Sequence, residues 1–362
     1  MVQPFHPRLL QYLDTVQRST RCAGIEELYR ANQQTLPHPR TIYRWHKDLG
    51  KRLVLFPVFT VGHFGLVDLH LFLNNPRREW LRFPYAVEHA WLTPDLYSRV
   101  LYLHCVIPAA HRDIIERLVR DLQRAGMCER YELLWTDSGW QFLNLVGSKE
   151  VPGWPSASLD VTRPEMGQEL IRRLPLVIPV VFEAWNQHRS LQQLWVAIQN
   201  RVGSRLKEFL PRQQIYRVNG KAHVKEIYHT LVRAGIFRQY LLRYQPLVKE
   251  SVAVFLMLRV EPEQVVELFE ELRSTAWIIE IHRAAKGWCL VRLLGSHELL
   301  NVMIALPGCF RNRRFKIYFH EKRDASDEQE TVRFCYEFLF DPARARWSFP
   351  RSLILKRMQV KG

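Results

Sequence analysis

One order of predicted elements occurs twice along the 362-residue chain, and this repeat restricts the fold more than any single motif. In the first half, Leu9, Leu10, Leu13 and Val16 recur at helical spacing through residues 6–18. A second short helix is predicted over 25–31, followed by a loop at 32–39 whose Pro37 and Pro39 stop one helix and start the next. Residues 40–49 read as a third helix closed by Gly50, and 52–60 (RLVLFPVFT) as a β-wing in which Pro57 marks an edge or bulge. The period then changes to that of a sheet. Strands are predicted at 66–73, 90–92, 99–107, 131–135 and 140–146, the last two around a turn at 137–139. Helices are predicted at 77–89 and at 112–124, where Ile114, Ile115, Leu118, Val119 and Leu122 share a face. This is a βαββαβ order.

The second half repeats the scheme. Helices are predicted at 165–185, 191–202 and 222–234, and a wing-like strand at 237–244. Strands at 251–260, 277–283, 288–294 and 314–320 then alternate with helices at 262–273 and 297–305. Ile42-Tyr43 and Ile227-Tyr228 lie in the two third helices, and VDLHLFL and VAVFLML begin about 24 residues after each. The predicted fold class is α+β, with two winged helix-turn-helix domains alternating with two ferredoxin-like (βαββαβ) domains. The expected boundaries are 1–60 (winged helix-turn-helix), 61–146 (ferredoxin-like), 147–164 (a Gly-, Pro- and Ser-containing linker), 165–250 (second winged helix), 251–322 (second ferredoxin-like) and 323–362 (basic extension).

Charge follows the same division. The net charge is +16, and the segments 1–60, 61–162, 163–250, 251–310 and 311–362 carry +5, −2, +9, −2 and +6. Basic modules between near-neutral ones suit a chain whose particular domains meet a polyanion. Six scattered cysteines form no CxxC pair, so they read as reduced thiols and not as a disulfide frame or zinc site. No apolar run approaches a membrane span, and MVQPFHPRLLQYLD is not a secretory signal, so a cytoplasmic protein without membrane contact is expected.

Two phrases carry a family resemblance. Leu231-Val232-Arg233-Ala234-Gly235-Ile236-Phe237 closes a recognition-type helix and leads into a strand. Lys286-Gly287-Trp288-Cys289-Leu290-Val291-Arg292-Leu293 precedes Glu298-Leu299-Leu300 and Leu306-Pro307-Gly308. In these phrases and in its order of elements, the chain resembles the leucine-responsive/asparagine regulator (Lrp/AsnC) family as a fused tandem, over about residues 8–146 and 165–320. Lys286, Trp288 and Cys289 stand where the family's Gly-Asp-x-Asp phrase carries acidic residues. The resemblance implies a sequence-specific transcription regulator that binds double-stranded DNA. It also implies a small-molecule effector and self-association through the ferredoxin-like sheets, so that one chain is a pseudo-dimer.

The residues suit that role. Arg40, Tyr43, Arg44 and Lys47 share one face of the third helix, with Thr41 beside them, while Ile42, Trp45 and Leu49 face the core. An arginine fork matches guanine N7 and O6 or two phosphate oxygens. Lys51 and Arg52 on the wing hold phosphates and fix register. Lys221, His223, Lys225 and Arg238 are the corresponding DNA contacts of the second unit. The tail 344–361 has six Lys/Arg and no acid, and reads as a DNA-hugging arm or a closing strand, LILKRM.

No HExxH, phosphate loop or G-x-S-x-G motif appears, so no enzyme, catalytic residue, metal or cofactor is expected. His89, His104 and His111 gather in the first unit, and His282 and His297 fall near the matching stretch of the second. Siroheme decarboxylases resemble the same architecture and decarboxylate a tetrapyrrole with His and Arg residues of the ferredoxin-like region; a chain of that kind is the enzymatic alternative. Their Arg-Arg-Phe-Gly-Ala type phrase has only a poor match here in Phe237-Arg238-Gln239-Tyr240-Leu241. A non-catalytic protein-interaction scaffold is the third reading, which burial of Trp45, Trp80 and Trp91 would weaken.

Overall fold

A computed structural model of the chain describes residues 7–18, 29–30, 33–34, 36–49, 53–95, 98–136, 140–143, 164–186, 191–210, 220–244, 251–259, 272, 275–309, 315–321 and 332–359. The predicted linker up to residue 163, nearly all of the predicted helix 262–273, and Lys51 and Arg52 lie outside these residues. The first half comprises α1 (Pro7–Arg18), α2 (Pro39–Leu49), β1 (Leu53–Phe59), β2 (Leu66–Asn74), β3 (Ala86–Thr93), β4 (Val100–Pro108), α3 (Arg112–Arg124), β5 (Arg130–Thr136) and β6 (Trp140–Leu143). Pro39 opens α2 where no amide N–H is needed, and the Arg40 N–H donates to His38 Nδ1 at 3.3 Å. Ile42 is buried, and Trp45 packs against Tyr12 with ring centroids 6.4 Å apart.

The second half comprises α4 (Pro164–Arg173), α5 (Val177–Asn186), α6 (Leu191–Val202), a short α7 (Leu206–Phe209), α8 (Gly220–Arg233), β7 (Phe237–Tyr244), β8 (Ser251–Arg259), β9 (Ala276–Arg283), β10 (Trp288–Ser296), α9 (Glu298–Cys309) and β11 (Phe315–His320). The single helix expected over 165–185 is two, because Pro175 has no N–H to continue the ladder and its ring clashes with the preceding turn. Gly235, at φ 67°, ends α8, and the Ile236 N–H donates back to the Leu231 carbonyl at 2.9 Å.

Four strands of each half have the ferredoxin-like order, and they join in one nine-stranded sheet, β5-β2-β4-β3-β11-β8-β10-β9-β6. The two halves meet where β11 pairs antiparallel with β3 (Phe319↔Thr93, His320↔Leu92). Two expectations are corrected here. The segments 131–135 and 140–146 do not form a hairpin: β5 pairs with β2 at one end of the sheet, while β6 crosses to cover the edge strand β9 at the other. Nor is 77–89 a helix. Only a 3₁₀ turn forms at Arg78–Arg82, anchored by the buried Trp80, whose indole N–H donates to the Met127 carbonyl at 3.1 Å. Phe83, before Pro84, is extended, as a residue preceding proline prefers, and the chain enters β3. The two wing strands β1 and β7 pair with each other as a separate ribbon.

The sheet curls so that its halves face one another between two helical layers. Leu69, Leu71 and Leu73 of β2 and Leu101 and Leu103 of β4 point outward to Ile115, Leu118, Val119 and Leu122 of α3. Val254, Leu256, Val291 and Leu293 point the other way, to Leu299 and Met303 of α9. Between the sheets lie Phe72, Tyr102, Leu134, Phe255, Met257, Leu290 and Tyr318. The inner faces of the two halves are therefore packed on each other within one chain.

The basic extension is not a free arm over its described part, and LILKRM is not a closing strand. Residues 332–359 form α10 (Tyr336–Leu339), β12 (Phe340–Asp341), β13 (Arg346–Trp347) and α11 (Arg351–Arg357), and all of LILKRM but its last residue, the C-cap Met358, falls on α11. Phe334, Tyr336 and Phe340 are buried against the first core, with Phe334 stacked on Phe182 at 4.0 Å. Arg201 of α6 clasps the segment: its guanidinium bonds Glu183 (2.7 Å), Glu337 (3.1 Å) and the Phe334 carbonyl. Apolar burial decides the outcome here, and the basic side chains Arg344, Arg346 and Arg351 are left on the outer surface.

Candidate functional site

Strand alternation carries polar side chains into the space between the sheets. VDLHLFL places Asp68, His70 and Phe72 on the inner face of β2, and the matching positions of β4, β9 and β10 bring in His104, Glu280, His282 and Arg292. Register sets two rows. Across the first half run Leu134, His70, His104 and Glu88; across the second run Tyr318, Phe255, Arg292 and Glu280.

The side chains of the two rows interlock. Arg292 makes a two-pronged pair with Glu88 (2.7 and 2.9 Å), lies 3.4 Å from Glu280 Oε2, and stands over the rings of Phe255 (5.0 Å) and Tyr102 (5.7 Å). His104 bonds Asp68 at 2.7 Å and His282 bonds Glu280 at 2.8 Å. Between them His70 uses both ring nitrogens, Nδ1 with the Tyr102 hydroxyl (2.8 Å) and Nε2 with the Thr136 hydroxyl (2.9 Å). The His70 ring lies 4.7 Å from that of His104 and 4.3 Å from that of His282.

Burial holds the His70 imidazole well below its ordinary value, aided by His282, His104 and the Arg292 charge, so it is neutral and suits its two hydroxyl partners. Burial pushes the Glu280 carboxyl up, but Arg292 and the His282 hydrogen bond outweigh it and hold the group below the usual carboxylate range. His320, at the joint between the sheets, is lowered to about 4 by burial and by Arg292. Among the described residues, Nδ1 of His282 and Nδ1 of His320 are buried without a hydrogen-bond partner. Arg292 and Glu88, with side chains 19% and 14% exposed, are the most accessible members; His282 is 3% exposed. The cluster backs two imidazoles with carboxylates, an arrangement suited to proton transfer, and its one guanidinium is shared by Glu88 and Glu280.

The residues predicted to contact DNA lie elsewhere. Arg40, Tyr43 (52% exposed) and Arg44 are on the outer face of α2, with Thr41 half-buried. Lys225 is exposed on α8, but His223 turns inward and is buried, which lowers its pKa and takes it off the contact face. Lys47, Lys221 and Arg238 lie in α2, α8 and β7, with side chains outside the described residues. Of the histidines noted in the sequence, His104 and His282 come together, whereas His297 is exposed and His111 packs on Phe349 at 5.8 Å. Sequence reading missed His70, Arg292, Glu88 and Glu280. The available signal was a charged or imidazole side chain at alternate positions of otherwise apolar strands.

No family model and no curated protein matches the sequence. Two solved structures match the fold, both of siroheme decarboxylase NirDL, a protein of the Lrp/AsnC-like fold. One is 11% identical and covers 92% of this chain and 96% of that chain with a TM-score of 0.47. The other, in complex with an iron-uroporphyrin III analogue, is 10% identical and covers 91% and 96% with the same TM-score of 0.47. At that TM-score the likeness carries no argument about chemistry, and what this chain does has to be read from its own side chains. The expectation of a protein that is not an enzyme runs against both matching structures, which are enzymes. Trp80 and Trp91 are buried and Trp45 packs on the core, which weakens the scaffold reading. Among the described residues no group of three or more His, Cys, Asp or Glu is placed to hold a metal ion, and no helix is long and apolar enough to cross a membrane.

Proposed function

We propose that the chain is an acid–base enzyme of the siroheme-decarboxylase kind, acting on a carboxylated tetrapyrrole at the cluster between its sheets. The observation that supports this is the pair of carboxylate-backed imidazoles, His104–Asp68 and His282–Glu280, with ring centroids 5.7 Å apart beside Arg292. Decarboxylation breaks the bond from the side-chain carbon to its carboxylate and releases CO₂. The electron pair left on carbon takes a proton, so no oxidant is required. An imidazole backed by a carboxylate can deliver that proton. Arg292, paired with Glu88 and Glu280, would take a substrate carboxylate in exchange for Glu88, and the packed rings of Tyr102 and Phe255 with Leu290 keep water from the cluster. The net charge of +16 suits a polycarboxylate.

Absorbance titration with iron-uroporphyrin III, followed by mass spectrometry for loss of CO₂, tests the proposal. Binding with turnover in the wild type, and binding without turnover in a His104→Ala/His282→Ala variant, is the expected outcome. Turnover retained in that variant, or no binding at all, overturns it.

Arg40, Tyr43 and Arg44, exposed side by side on α2, support a second activity, the binding of duplex DNA. Its test is affinity for random-sequence duplex as a function of salt; a flat dependence excludes phosphate contact.

A further inference from the structure

We propose that a pocket at the end of the facing sheets, distinct from the histidine cluster, binds a small organic anion carrying a carboxylate. The pocket has a volume of about 570 Å³, and its walls include Asn74, Arg130, Tyr131 and Glu132 of the first half and Lys316 and Tyr318 of β11. It exists only because the two halves face each other. Its size is in the range of small-molecule sites, about 300–1,000 Å³.

Charge points to the ligand. Lys316 is ion-paired with Glu132 across the gap. Arg130 is exposed and, among the described residues, its guanidinium has neither an ion-pair nor a hydrogen-bond partner. The side-chain amide of Asn74 and the hydroxyl of Tyr318 are likewise without protein partners there. A guanidinium, an amide and a phenol thus line one cavity without protein partners among the described residues, and the lining carries a net charge of one positive unit. A guanidinium fork fits a carboxylate with two parallel hydrogen bonds. Glu132 disfavours a dense polyanion such as nucleic acid, which leaves a small acid as the ligand. One wall is flat and apolar: Tyr318 stacks on Phe72 at 5.1 Å and 23°. Burial, with Glu132 beside it, raises the Tyr318 phenol above its ordinary value, so it stays protonated and can donate. Phe72 in turn contacts Tyr102 (5.3 Å), which bonds His70, so three rings, Tyr318, Phe72 and Tyr102, link an occupant to His70.

Tyr318 ends one of the two rows, but no histidine of the cluster, nor Asp68, Glu88, Glu280 or Arg292, lines this pocket, so the site stands or falls separately from the decarboxylase proposal. Calorimetric titration of the full chain with citrate, inorganic phosphate and glycerol provides the test. Saturable citrate binding is expected, weakened about tenfold or more in Arg130→Ala, whose removal costs a charge-assisted pair. Glu132→Gln should tighten binding by removing the opposing charge, and Arg120→Ala, an exposed arginine of α3 outside the pocket, should leave it unchanged. No citrate binding, equal affinity in Arg130→Ala, or an equal loss in Arg120→Ala would overturn the site. Phosphate binding as tightly as citrate would overturn the carboxylate assignment.

Discussion

His104 on β4 and Arg292 on β10 hold the same position in the two halves of the chain. Each lies between a glutamate on one neighbouring strand, Glu88 or Glu280, and an inward ring on the other, His70 or Phe255. The repeat has kept the glutamates and changed what they face. Arg292 reaches across the interface to Glu88, so the second half supplies the cation and His282, and the first half supplies His70 and His104. A duplicated fold has thus become one asymmetric site.

Arg292→Ala should destabilise the chain by about 3–5 kcal/mol, because it strands Glu88 and Glu280 in a buried setting. Most of that cost is the orphaned charge, so adding Glu88→Gln should recover part of it. Urea unfolding of the two variants measures the difference, and a single-variant cost below about 1 kcal/mol would show that water reaches the pair freely.

Stability should rise with pH through the mildly acidic range. His70 and His320 are held below the ordinary imidazole value of 6.5, so below that pH the unfolded chain binds more protons than the native one. Their contribution is fully present above 6.5 and is lost as pH falls, for His320 over the interval down to about 4. Thermal melts across this interval should show the slope, and His320→Asn should flatten it. A melting temperature unchanged by pH would contradict the burial of both rings.

Arg201→Ala should release the C-terminal segment. Its guanidinium is 12% exposed and faces Glu183, 4% exposed, so the loss is expected at about 3–5 kcal/mol. Limited proteolysis should then cut within 332–359 before any other described segment; an unchanged cleavage pattern would mean that the aromatic packing of Phe334 and Tyr336 holds it unaided.

Gly167→Ala should cost about 1–3 kcal/mol or more. A Cβ there would lie 1.6 Å from the carbonyl oxygen of His63, so α4 has to move off the turn at 61–64. That turn also accepts the Trp347 indole N–H at 2.9 Å on the Phe64 carbonyl, and tryptophan fluorescence should report the shift.

Arg44→Ala should weaken duplex DNA binding by about 1–3 kcal/mol and relax specificity, provided that α2 reads bases. An equal loss on every sequence would assign Arg44 to phosphate contact alone.

Local pattern alone determined a good deal. The repeated order of elements, the buried apolar stripe of α3, and the strands with their period-two alternation all follow from spacing and turn chemistry. It also determined that Asp68, His70 and Phe72 share one face of β2. What it left open was the material covering that face. The curling of two sheets onto each other, the crossing of β6 to β9, the clasp of Arg201 on residues 332–359 and the meeting of His70 with Arg292 and His282 join segments more than a hundred residues apart. Periodicity reports which side chains point the same way, because that is a property of one strand's pleat. Which side chains they meet is a property of the packed whole, where desolvation and strand-edge pairing select among faces that look alike in the sequence. Only in the tertiary structure does a histidine in an apolar strand become the centre of a buried polar cluster.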